Sequence, residues 1–203
     1  MRHWTLLGEA PIPGTGTCLS LYQGKDDFFI KLTGPHGGGQ ELMNTRKHGS
    51  EDALGALPCK RLANPANARV LIGGLGMGFT LAAALKAVGQ DAEVTVAELI
   101  PEVVEWNRGP LGERSGRPLD DPRTRVYVGD VVRLLRRSQA CFDVIALDVD
   151  NGPEGLTRDS NDWLYSLPGI ESGRKALRPG GILAYWSAGP DGDFSDTLTA
   201  SRM

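Results

Sequence analysis

Cysteine is scarce: Cys18, Cys59 and Cys141 are scattered and odd in number. That suits reduced thiols in a cytoplasm better than a disulfide framework. There is no CxxC pair, and His3, His36 and His48 lie far apart in sequence, so no metal site is expected. No apolar run is long enough to span a bilayer, and Met1-Arg-His-Trp-Thr5 is not followed by the apolar region of a signal peptide. Basic excess is absent too. A net charge of −3 leaves no footprint for nucleic acid or an anionic membrane. Internal repeats and long low-complexity segments are also lacking. What is present is a globular composition, 40% hydrophobic and 23% charged over 203 residues, enough for a substantial core.

A boundary near residue 65 divides an N-terminal segment, 1–64, from residues 65–203. The first segment carries strand-like runs at 18–23 and 28–32, joined by the turn residues Gly24-Lys-Asp-Asp27, and a third candidate strand at 4–7. Thr33 to Gly39 reads as loop. Ser50 suits the N-cap of a helix through about Leu57, with Pro58 marking its end. From Arg69 onward strands and helices alternate. Strands are expected at 69–73, 93–98, 124–128, 142–148 and 181–187, and helices at 78–88, 101–108, 130–137 and 168–177. Pro101 and Pro168 suit first turns, and Gly89 and Gly180 suit helix exits. Trp106 and Asn107 read as helix packing and helix exit. Leu111 to Pro122, rich in Gly, Pro and charge, reads as an extended surface loop. The alternation predicts an α/β fold with a mainly parallel sheet and helices on both faces.

Ligands of such sheets bind at the carboxyl ends of the strands. There the sequence places Val70-Leu-Ile-Gly-Gly-Leu-Gly-Met-Gly78, then Glu98, Asp130 and Asp148 after successive strands. Gly74, Gly76 and Gly78 let a ligand approach the main chain. Glu98 can accept from both hydroxyls of a ribose. A dinucleotide GxGxxG/A pattern begun at Gly74 would need a small residue where Phe79 stands, and a Walker phosphate loop is absent.

The spacing instead resembles the class I S-adenosylmethionine-dependent methyltransferase fold, a Rossmann-like architecture. That likeness implies that Asp130 accepts from the adenine amino group while Val131 offers its N–H to a ring nitrogen. Asp130 equally suits the N-cap of the following helix. Within that fold the chain is similar to the spermidine synthase-like, or polyamine aminopropyltransferase, family. The similarity rests on Gln40 to Glu51, Ile72 to Gly78, Ala97-Glu-Leu-Ile-Pro-Glu-Val-Val104, Asp121-Pro-Arg-Thr-Arg-Val-Tyr-Val-Gly-Asp130, Phe142 to Asp148 and Ala176-Leu-Arg-Pro-Gly-Gly-Ile-Leu183.

The resemblance implies aminopropyl transfer from decarboxylated S-adenosylmethionine to an amine, releasing methylthioadenosine and using no metal. Asp148 would orient the amine and accept its proton, with Asp150 as helper. Gln40 and Glu51 fit family positions on the segment before the domain, and Trp163 and Tyr165 could wall a substrate pocket or pack a helix. The chain departs from the family pattern at Met77, where Asp is common, and at Asp148-Val-Asp-Asn-Gly-Pro153. Packing under the loop is the expectation for Met77. A methyltransferase acting on a small molecule with S-adenosylmethionine shares the same residues. A degenerate binding or scaffold protein shares the fold. The usual fold continues past its fifth strand into a hairpin, and Asp196 to Met203 is too short for it, so C-terminal strands are expected to be missing. The exposed edge then calls for a homodimer or an N-terminal strand to cover it.

Overall fold

The computed structural model describes residues 4–34, 39–149, 159–187, 189 and 191–201, with only the backbone of 159–161. Asp150 lies outside them. Four antiparallel strands, β1 (Thr5–Pro11), β2 (Cys18–Gln23), β3 (Phe28–Thr33) and β4 (Gly39–Asn44), form an N-terminal sheet in chain order. The Gly24–Asp27 turn closes the β2–β3 hairpin, with the Gly24 N–H donating to the Asp27 carbonyl at 2.7 Å. The sequence pattern did not signal β4, because Gly39-Gln-Glu-Leu-Met-Asn44 lacks clear alternation.

Helix α1 (Gly49–Lys60) leads to the second sheet, formed by β5 (Arg69–Gly73), β6 (Glu93–Glu98), β7 (Thr124–Val128), β8 (Phe142–Leu147) and β9 (Leu177–Tyr185). Its order is β7-β6-β5-β8-β9 and every pair is parallel. The order reverses beside β5, so the β5–β8 junction is the switch point at which such sheets bind ligands. Helices α2 (Phe79–Ala87), α3 (Pro101–Arg108), α5 (Val131–Arg137) and α7 (Leu167–Ala176) are the connections, with the short α4 (Pro110–Arg114) and α6 (Asp159–Tyr165) between them.

The period of two along the strands sorts the core. Val70 and Ile72 of β5, with Val94, Val96, Val144 and Ala146, face α2, α3 and the N-terminal sheet. Leu71, with Ala97, Ile145 and Leu147, faces α5 and α7. Helices therefore cover both faces. Each fully buried Leu or Ile contributes about 1.5–3 kcal/mol relative to exposure. None of the helices among the described residues is long and apolar enough to cross a membrane.

Four local expectations are corrected. Helix α1 runs through Pro58 to Lys60, and its N-cap is His48, not Ser50. The His48 ring stacks on Phe79 at 3.9 Å and its Nδ1 pairs with Asp52 at 2.8 Å, which fixes the helix entry two residues before the serine. The 111–122 stretch is not an extended loop: Pro110 and Pro118 open short helical turns, and Leu111 is 1% exposed. Gly180 is no helix exit. It lies inside β9 at φ 78°, where the register with β8 shifts between Phe142 and Val144. Finally, Gly192–Ala200 forms α8, capped by Asp191. Among the described residues β9 pairs only with β8, and the N-terminal strands form their own sheet rather than covering it.

The Asp121-Pro-Arg123 segment ties the entry of β7 to the end of α2. Arg123 forks onto both oxygens of Asp121 at 2.9 and 2.7 Å, and its Nη1 donates to the carbonyls of Leu85, Val88 and Gly89.

Candidate active site

Backbone hydrogen bonds continue past the strand ends and hold four loops together. The Gly74 N–H donates to the Ala97 carbonyl, Asp148 to Gly73, Gly129 to Glu98 and Trp186 to Leu147, at 2.7–2.9 Å. The glycine loop between β5 and α2 is forced by sterics. A Cβ at Gly74 would lie 2.0 Å from the Asp148 carbonyl oxygen, and its φ of 90° is a conformation that L side chains rarely adopt.

These loops enclose a cavity of about 190 Å³. Its wall from the parallel sheet contains Gly74, Gly76, Glu98, Asp130, Val131 and Asp148, and Glu51 reaches it from α1. The structure thus brings together seven of the residues singled out in the sequence. Gly78 lies behind the loop as the left-handed N-cap of α2. Gln40 is exposed on β4. Trp163 and Tyr165 are not among the lining residues. Trp163 packs its ring under the Arg136 guanidinium at 4.3 Å, and buried Tyr165 meets Tyr185 at a tilt and Phe194 edge-on. Met77 is 4% exposed in the core beneath the loop.

Glu98 is buried, with Oε2 accepting from the Leu75 N–H and Oε1 from the Ile100 N–H, both at 2.9 Å. Burial raises its pKa, and these backbone donors pull the other way. Each carboxylate oxygen has lone pairs beyond one such bond. Asp130 caps α5 by accepting from the Val132 N–H at 2.8 Å. Asp148 is half-buried, its carboxyl at the cavity wall, and Oδ2 accepts from the Thr80 hydroxyl at 2.6 Å. Burial, reinforced by the charges of Glu51 and Glu98, pushes its pKa up to about 6, against the opposing bond from Thr80. It is a carboxylate poised to exchange a proton near neutral pH.

Sequence reasoning missed two groups. Thr80 is the one hydroxyl in Phe79-Thr-Leu-Ala-Ala-Ala-Leu85, a visible signal. The opposite wall, Ile12, Leu19, Ile30, Leu42 and Met43 from the N-terminal sheet together with Trp186, gave none, because its pattern is that of any core.

Strand order, switch point and glycine loop define a class I methyltransferase fold. The spermine/spermidine synthase domain model matches residues 48–190, and the chain belongs to this family. Putrescine N-methyltransferase 4 of Nicotiana tabacum is 32% identical over 173 residues, 80% of this chain and 42% of that protein. A polyamine aminopropyltransferase of Korarchaeum cryptofilum is 32% identical over 129 residues, 63% of this chain and 37% of that protein. The chain spans less than half the length of these curated relatives. A spermidine synthase solved in complex with the transition state analogue AdoDATO superposes with a TM-score of 0.71 at 20% identity, over 97% of this chain and 61% of that one. Spermidine synthase from Thermotoga maritima gives 0.68 at 20% identity, over 89% and 56%.

Proposed function

We propose that this chain is the catalytic part of an aminopropyltransferase that uses decarboxylated S-adenosylmethionine and a small amine. One observation carries the choice of donor: the described cavity wall holds four carboxylates, Glu51, Glu98, Asp130 and Asp148, and no Lys, Arg or His. A donor that keeps its carboxylate would meet like charge there, whereas the decarboxylated donor is cationic throughout its tail.

In this reading Glu98 accepts from the ribose hydroxyls with the lone pairs its backbone donors leave, and Asp130 and Val131 meet the adenine edge. The sulfonium of the donor supplies an electrophilic carbon. Asp148, held at one oxygen by Thr80, receives a proton from the acceptor ammonium with the other. The neutral amine nitrogen forms a bond to the carbon beside sulfur. The carbon–sulfur bond breaks with its electron pair going to sulfur, and methylthioadenosine leaves. The proton that the new secondary ammonium loses passes to solvent. Asp150 is the proposed helper.

The likeness to putrescine N-methyltransferases favours a second reading, methyl transfer to an amine by the same displacement. Parallel calorimetry with S-adenosylmethionine, its decarboxylated form and methylthioadenosine separates the two. Tighter binding of the decarboxylated donor supports aminopropyl transfer, and tighter binding of the carboxylated donor replaces it with methyl transfer. No binding of any adenosyl ligand leaves a scaffold protein.

A further inference from the structure

Asn107 sits in the last turn of α3 and is 1% exposed. Its Nδ2 donates to the Gly76 carbonyl at 2.8 Å and to the Val103 carbonyl at 2.9 Å. Both partners are acceptors, so the amide orientation is determined: turned over, Oδ1 would face two oxygens. Oδ1 itself has no partner among the described residues. A Cβ on Gly78 would lie 3.0 Å from this Oδ1, 2.9 Å from Ser115 Oγ and 3.2 Å from Pro118 Cγ. Gly78 has a φ of 83°. Residues 107–118 therefore form a backing for the glycine loop, with a hydrogen bond at Gly76 and close packing at Gly78.

A buried amide oxygen without a donor is a cost that packing gives no reason to keep. Leucine has similar bulk and no polar atom to satisfy. What it lacks is a donor for the Gly76 carbonyl, and Gly76 lines the cavity. We propose that Asn107 is a positioning residue of the donor site, which fixes the glycine loop by holding the Gly76 carbonyl. This rests on the reading that the loop receives the adenosyl half of the donor.

The test compares wild type, Asn107→Leu and Arg123→Ala by calorimetry with methylthioadenosine. Arg123 fastens the far end of α2, so its variant controls for a general loss of stability. Asn107→Leu is expected to raise Kd by about tenfold with an unchanged number of sites, and Arg123→Ala by less than about twofold. Equal weakening in both variants, or a Kd for Asn107→Leu within about threefold of wild type, overturns the proposal. Should wild type not bind methylthioadenosine, the donor reading fails, and amide hydrogen exchange decides the positioning role separately. Asn107→Leu is then expected to speed exchange at Leu75 to Gly78 by about tenfold, and unchanged exchange overturns it.

Discussion

The two walls of the cavity are built on opposite principles. The wall from the parallel sheet sets its carboxylates among main chain and apolar residues such as Ile100 and Val103, and its acids are anchored by hydrogen bonds: Glu98 to the Leu75 and Ile100 N–H groups, Asp130 to Val132 N–H, Asp148 to Thr80. The wall from the N-terminal sheet presents Ile12, Leu19, Ile30, Leu42 and Met43, without a charge. The first wall places charge where a cationic ligand would develop or lose it. The second offers no polar group, and a low-dielectric surface of this kind strengthens the electrostatic interactions facing it. Substitutions on the first wall should therefore change chemistry, and substitutions on the second should change stability.

Asp148→Asn gives the largest effect. Transfer is expected to fall by about a thousandfold, with Kd for methylthioadenosine within about threefold of wild type. Wild-type turnover in the variant removes Asp148 from the mechanism. Its pKa of about 6 also sets a pH dependence: transfer by wild type should fall by about tenfold per unit below pH 6. The effect on stability has the opposite sense. Between its ordinary value and about 6 the folded chain holds this proton more tightly than the unfolded chain does. The carboxyl's contribution to stability is therefore complete at low pH and is lost as pH rises through 6. Denaturant midpoints across that range should fall further in wild type than in Asp148→Asn, which keeps the raised carboxyl of Glu98. An equal loss in both assigns it to other groups.

On the apolar wall, Ile30, 1% exposed, gives the contrast. Ile30→Ala should cost about 2–4 kcal/mol of unfolding free energy, measured by denaturant titration. A variant of full stability but altered donor specificity would break the division between the walls. Glu98→Ala is expected to weaken methylthioadenosine binding by about tenfold or more, and unchanged affinity would reject its ribose role. It should also lower stability, because two buried N–H groups lose their acceptor.

The same contrast explains what the sequence makes legible. Glycines beside a strand end and acids after successive strands have few other reasons to recur in that order, so Gly74, Glu98, Asp130 and Asp148 can be placed before any fold is seen. Helix α3 is legible to the residue, because Pro101 suits a first helical position, where its missing N–H costs nothing. The apolar wall carries no such mark, since Leu19 and Ile30 look the same whether they face a core or a cavity. The 107–118 backing is hidden for another reason. Its Gly, Pro and charge content is that of a loop, and only the burial of Leu111 and the reach of Asn107 to Gly76 show that it supports the site.

The smallest expected effect tests how far the site depends on the helix behind it. Arg123 places its charge at the carboxyl end of α2, where helix carbonyls lack partners and a cation is favoured. Its fork with Asp121 holds that carboxyl below its usual range and keeps the guanidinium charged. Both groups are close to the surface, so water can replace much of what is lost, and Arg123→Ala should cost about 1 kcal/mol in a denaturant titration. The glycine loop lies at the other end of α2, seated on Gly78 and Asn107 rather than on this clamp. Lower stability with unchanged donor affinity is therefore the expected result. A matching loss of affinity would show that the loop is positioned through the helix as a whole and not by the backing beneath it.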